Sequence, residues 1–139
     1  MTITGHLVRV DRSHENIPLP DTDMLDALHA AIGCRTIDIV SLDNEVDVVV
    51  DDEGLLTAEP RLNIALTNIV HALGGTNVIF GNGILVSASP EGETISLTDE
   101  QYATVAEILE GHVDEDVTQR VAQTLKAAFG PFAAALVLS

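Results

Sequence analysis

The sequence is poor in the residues on which reactive chemistry and anionic partners depend. Aromatic residues make up 3% of its 139 residues, and tryptophan is absent. Lysine and arginine number 6 against 22 acidic residues, for a formal net charge of −16. So few cations exclude the phosphate-neutralising grip of a direct nucleic-acid binder, and equally attachment to an anionic membrane surface. The single cysteine, Cys34, excludes an intramolecular disulfide and a cysteine-built zinc cluster, and fits a reducing cytosol. No apolar run reaches the roughly 18 residues of a membrane span. The opening from Met1 to Val10 carries neither a basic leader nor a signal-type apolar stretch. The expected compartment is the cytoplasm.

What is present is enough for a core. Apolar residues make up 46% of the chain, with abundant Val, Leu and Ile, which excludes wholesale disorder despite the charge. The length fits one domain spanning 1–139, and no repeat or linker divides it.

Period and punctuation predict the elements. His6 to Val10 reads as a strand. Asp11 to Pro20 reads as a polar connection, because its closing Ile-Pro-Leu-Pro can neither continue a ladder nor sit in a helix. A helix starts near Asp21 or Asp23 as side-chain cap, buries Leu25, Leu28, Ala31 and Ile32, and stops at Gly33. Thr36 to Leu42 and Val46 to Val50 form a hairpin around Asp43-Asn44-Glu45. Leu55 and Leu56 resume apolar packing after the turn at Asp51 to Gly54. Arg61 to Leu73 forms a second helix, with Leu62, Leu66, Ile69, Val70 and Leu73 on one side and Ile64, Asn68 and His71 opposite. Val78 to Ala88 is one bent strand or a hairpin, interrupted at Gly81-Asn82-Gly83. Thr98 and Gln101 spell a capping box for a third helix, whose buried stripe is Tyr102, Val105, Ala106 and Leu109. Asp114 to Phe129 is a fourth, with Val117, Val121, Leu125 and Ala128 in register before Gly130-Pro131. The expectation is an α+β fold: a small mixed sheet with about four helices, the last C-terminal to the rest.

The order of these pieces resembles a known family. The carriers are Ile32-Gly33 closing a short helix, Ile37 to Val40, the Val-rich strand into Asp-Glu-Gly at Val48 to Gly54, and Pro-Arg-Leu-Asn-Ile-Ala-Leu from Pro60 to Leu66. Gly-Asn-Gly-Ile-Leu-Val from Gly81 to Val86 and Ser-Leu-Thr-Asp-Glu-Gln from Ser96 to Gln101 complete the set. Over residues 6–109 the chain is similar to the domain of unknown function 3846, found largely in bacteriophages, plasmids and other mobile elements and in actinobacterial and firmicute genomes. The resemblance implies no activity and no catalytic residues. It leaves residues 112–139, the last helix and an apolar tail, outside.

No catalytic constellation stands out, so the expectation is a non-enzymatic protein without cofactor or metal. The five histidines, at 6, 14, 29, 71 and 112, show no metal-ligand spacing. Cys34 has a cation beside it in Arg35 but reads as an inert buried thiol. The glycine-rich stretches precede a strand rather than a helix, so turn chemistry and not phosphate cradling accounts for them. Arg9, Arg12 and Arg35 are candidates for a small positive pocket. Ile64, Asn68 and His71 are candidates for a contact surface, although His71 alone reads as a solvated side chain. The functional expectation is a small acidic binding protein of a phage or mobile element. It would act on a host protein with a basic surface or sequester a small ligand, and the last helix and tail are the candidate homodimer surface. The alternative is a nucleic-acid mimic that inhibits a restriction or repair protein.

Overall fold

The computed structural model describes residues 2–54 and 60–130. Leu55, Leu56 and the tail from Pro131 onward lie outside those residues. Strands β1 (Thr2–Val8), β2 (His14–Pro20), β3 (Ile37–Ser41), β4 (Val46–Asp51), β5 (Gly83–Ala88) and β6 (Thr94–Ile95) form one sheet in the order β2-β1-β5-β4-β3, with β6 paired to β5. Every pairing between these strands is antiparallel, where a mixed sheet was expected. Four helices accompany them: α1 (Met24–Ile32), α2 (Ile64–Ala72), α3 (Asp99–Leu109) and α4 (Glu115–Phe129). The expected α+β architecture stands, and no helix among the described residues is long and apolar enough to cross a membrane.

The segment read as a polar connection is strand β2. Its prolines are tolerated because β2 pairs only with β1, at the edge of the sheet. Pro18 and Pro20 stand opposite Thr4 and Thr2, so two alternate positions lack the N–H that an edge strand offers to solvent. The same prolines deny that edge to another chain.

The sheet is covered on both faces, which is why β4 is buried along nearly its whole length. On one face α1 places Leu28 and Ile32 against Leu19, Leu7, Val49, Ile84 and Val86. Gly33, at φ 80°, closes α1 by donating its N–H to the His29 carbonyl. The start of α1 differs from expectation: Asp23 caps by position, with no side-chain bond to the first turn. On the other face α2 and α3 place Leu66, Ile69, Val70, Leu73 and Val105 against Val8, Val46, Val48, Val50 and Leu85.

The β3–β4 hairpin forms as expected, with Ile39 opposite Val49. Segment 78–88 resolves as a single strand entered through a turn at Gly81, φ 84°, with an isolated bridge between Leu62 and Phe80 ahead of it.

The expected capping box of α3 is present: Thr98 Oγ1 accepts from the Gln101 N–H and Gln101 Oε1 accepts from the Thr98 N–H. The stripe is corrected, however. Tyr102 is 39% exposed, whereas Gln101 is buried and its Nε2 donates to the Asn44 carbonyl and to Ser87 Oγ. Buried acceptors on neighbouring elements draw the amide inward where hydropathy alone reads it as surface.

Helix α4 packs outside α2 as a fourth layer. Val117, Val121 and Leu125 pack on Leu62, Ile64, Ala72 and Val78, so α2 is covered on two sides. His71, read as solvated, is 2% exposed as a result.

Candidate functional site

The β1–β2 hairpin sets a polar cluster that the sequence reading did not assemble. Its register places His6 opposite Asn16 and Val8 opposite His14, so His6, His14 and Asn16 share one face of the sheet. That face is the one roofed by α2 and α3. At the β1–β2 end Tyr102 of α3 reaches His6, its ring 5.3 Å away in an edge-to-face contact. His6 is 3% exposed, and both of its ring nitrogens are engaged: Nδ1 with Asn16 Oδ1 at 2.8 Å and Nε2 with His14 Nδ1 at 2.9 Å.

These bonds fix the protons. An amide oxygen only accepts, so His6 Nδ1 carries a hydrogen and Nε2 is a lone pair. His14 Nδ1–H donates to that lone pair. Burial holds His6 below the ordinary histidine range, the Asn16 bond works against this, and the nearby His14 charge adds to it. An unfolded His6 takes up its proton near the usual value of about 6.5, the folded one only at lower pH. The unfolded state therefore binds more protons in between, and the His6 contribution to stability, complete above that pH, is lost as pH falls through it. Urea midpoints at pH 7.5 and 5.5 should show a smaller acid loss in His6→Gln than in the parent. Equal losses would mean that a neutral His6 is not required.

Above His6 lies a cleft of about 300 Å³, walled by Thr4, Asn16, Ser96, Asp99 and Tyr102 with His6 at its floor. The N–H of Thr4 donates to Ser96 Oγ at 2.8 Å, which ties β1 to the segment entering α3. The cleft offers a carboxylate acceptor from Asp99, the Asn16 Nδ2 donors, for which no partner occurs among the described residues, and the partly exposed Tyr102 ring.

The arginine candidates are spread over separate partners. Arg9 bonds Glu15 at 2.6 Å, and Arg35 bonds both oxygens of Glu53 at 3.0 and 2.9 Å. Arg12 sits exposed in the β1–β2 turn at φ 75°. None of the three lines the cleft. Cys34 is half-buried, and burial, followed by the Asp51 charge, raises its thiol pKa. The guanidinium beside it is turned to Glu53, so the thiol is held protonated. Ile64 and His71 do lie in a contact surface, but the contact is with α4 of the same chain. Asn68, on the same side of α2, has a buried Oδ1 without a partner. The apolar stripe of α4 packs within the chain, and the tail that completes the candidate homodimer surface lies outside the described residues. Among the described residues, no group of three or more His, Cys, Asp or Glu side chains is placed to hold a metal ion.

The missed signal was His-x-Asn at 14 and 16. Two polar side chains at strand period, facing His6 across a short turn, mark one wall of a site once β2 is accepted as a strand.

A family model described as a domain of unknown function (DUF3846) matches residues 3–110, which contain every residue of this cleft. No curated protein and no solved structure matches the chain.

Proposed function

We propose that this chain, which belongs to the DUF3846 family, is a non-enzymatic binding protein that holds a neutral, polyhydroxylated small molecule in the β1–β2–α3 cleft. One observation carries the reading. His6 is buried, neutral and bonded at both nitrogens, so it serves as a rigid floor and not as a base. Around it stand an acceptor, donors and an aromatic face: the Asp99 carboxylate for hydroxyl hydrogens, the Asn16 amide for hydroxyl oxygens, and the Tyr102 ring for a carbon–hydrogen face. A sugar or the ribose of a nucleoside presents all three complements. An anion is disfavoured in this cleft by the Asp99 carboxylate in its wall. A sequestering role for a phage or mobile element, exercised in the cytoplasm, is part of this proposal.

The test is titration of the purified protein with ribose, glucose and adenosine, followed by proton NMR of the Tyr102 and His6 rings. Saturable shifts are expected with at least one probe. Tyr102→Ala should weaken that binding about tenfold, by loss of the ring contact. Absence of saturation with all three, or full affinity in Tyr102→Ala, overturns the proposal.

A further inference from the structure

A second cleft lies between α2 and α4. His71 is 2% exposed, yet its Nε2 has no hydrogen-bond partner, and one turn earlier on α2 the buried Asn68 Oδ1 is also unpartnered. Leaving such atoms unpaired is destabilising, so a group that meets Nε2 stabilises the folded protein. His71 lines this open cleft of about 320 Å³ together with Thr76, Arg120, Gln123 and Thr124.

The opposite wall supplies a cation. Arg120 reaches its nearest carboxylate, Asp116, only at 3.9 Å, and its side chain is about half exposed. The planar fork is therefore not closed by that pair, and forks of this kind take a carboxylate through two parallel bonds. Arg120 is near enough that its charge lowers the His71 pKa, behind the larger effect of burial, while the Thr76 and Asn77 carbonyls act the other way. Thr124 Oγ1 donates to the Arg120 carbonyl at 2.8 Å, which occupies its hydrogen and leaves its lone pairs.

We infer that the α2–α4 cleft binds a small hydroxy acid, with its carboxylate on Arg120 and its hydroxyl on His71 Nε2. A hydroxyl suits Nε2 in either tautomer, since it both donates and accepts. A simple carboxylate satisfies Arg120 and leaves the imidazole unpaired. Inorganic phosphate adds charge beside Asp116 without adding a neutral donor. The inference is independent of the sugar reading, because the two clefts share no residue.

The probes are glycolate, acetate and inorganic phosphate, titrated into the full chain while the imidazole nitrogens are followed by NMR. Glycolate should saturate and shift a ring nitrogen of His71, and acetate should bind at least about fivefold more weakly for want of the hydroxyl. Arg120→Gln, at an exposed position that leaves the core intact, should weaken glycolate about tenfold. If no probe saturates, water alone meets Nε2 and the inference falls. It falls equally if acetate or phosphate matches glycolate, or if Arg120→Gln binds as the parent does.

Discussion

Asn63→Asp is expected to destabilise the protein by about 3–5 kcal/mol at pH 7.5, more than most single substitutions. Asn63 is fully buried at the start of α2. Its Oδ1 accepts the Leu66 N–H at 3.0 Å, while Nδ2 donates to the Val8 carbonyl at 3.1 Å and the Gly81 carbonyl at 2.9 Å. One amide thus caps α2 and joins it to the ends of β1 and the turn before β5. Aspartate keeps the acceptor, and its charge suits a helix start. It loses both donors, however, and sets a buried carboxylate against two carbonyl oxygens, and that loss outweighs the gain.

The pH dependence separates this from a lost cap. The introduced carboxyl group has a raised pKa in the folded state, so the folded form binds more protons and the penalty shrinks as pH falls. Protonated, it can donate to one of the two carbonyls. Asn63→Ala loses the cap and both donors without such relief. Urea midpoints at pH 7.5 and 5.0 should therefore converge toward the parent for Asn63→Asp but not for Asn63→Ala. A loss below about 1 kcal/mol in both variants would remove Asn63 from its role as the joint of the fold.

The legible parts of this fold are those decided within a few residues. Thr98 with Gln101, Gly33 after Ile32, and the turn at Asp43-Asn44-Glu45 each announce a local conformation, and each is found where read. What the sequence concealed depends on the partner across the gap. Pro18 and Pro20 rule out an interior strand, but only the sheet order reveals that β2 is an edge. Strand β6 is two residues long and has no period to detect. Gln101 looks like surface until the Asn44 carbonyl and Ser87 hydroxyl lie beneath it. The site was hidden for the same reason, since His6 and Asn16 are ten positions apart and meet only through the hairpin. For α2 the periodicity identified one buried face correctly, and the second face became buried because α4 covers it.

That second face makes the fate of α4 the other large effect. Deleting residues 112–139 removes Val117, Val121 and Leu125, each 5% exposed or less. It also strips the cover from Leu62, Ile64, Ala72 and Val78. At about 1.5–3 kcal/mol for the lost burial of each of the three deleted side chains, the loss is roughly 5–9 kcal/mol. That is comparable with the whole stability of a small domain, about 5–15 kcal/mol. The truncated chain should aggregate, or give a broad, weakly cooperative thermal transition by calorimetry, in contrast to the soluble monomer that a purely dimerising helix would leave behind. Val121→Asp should behave like the truncation, because it buries a charge in the same contact. Gln119→Glu and Gln123→Glu, on the exposed side of α4, should leave the thermal midpoint within about 2 °C of the parent. If instead the truncated protein stays folded with an unchanged midpoint while these two surface variants alter the mass seen by light scattering, α4 serves a second copy and not its own core.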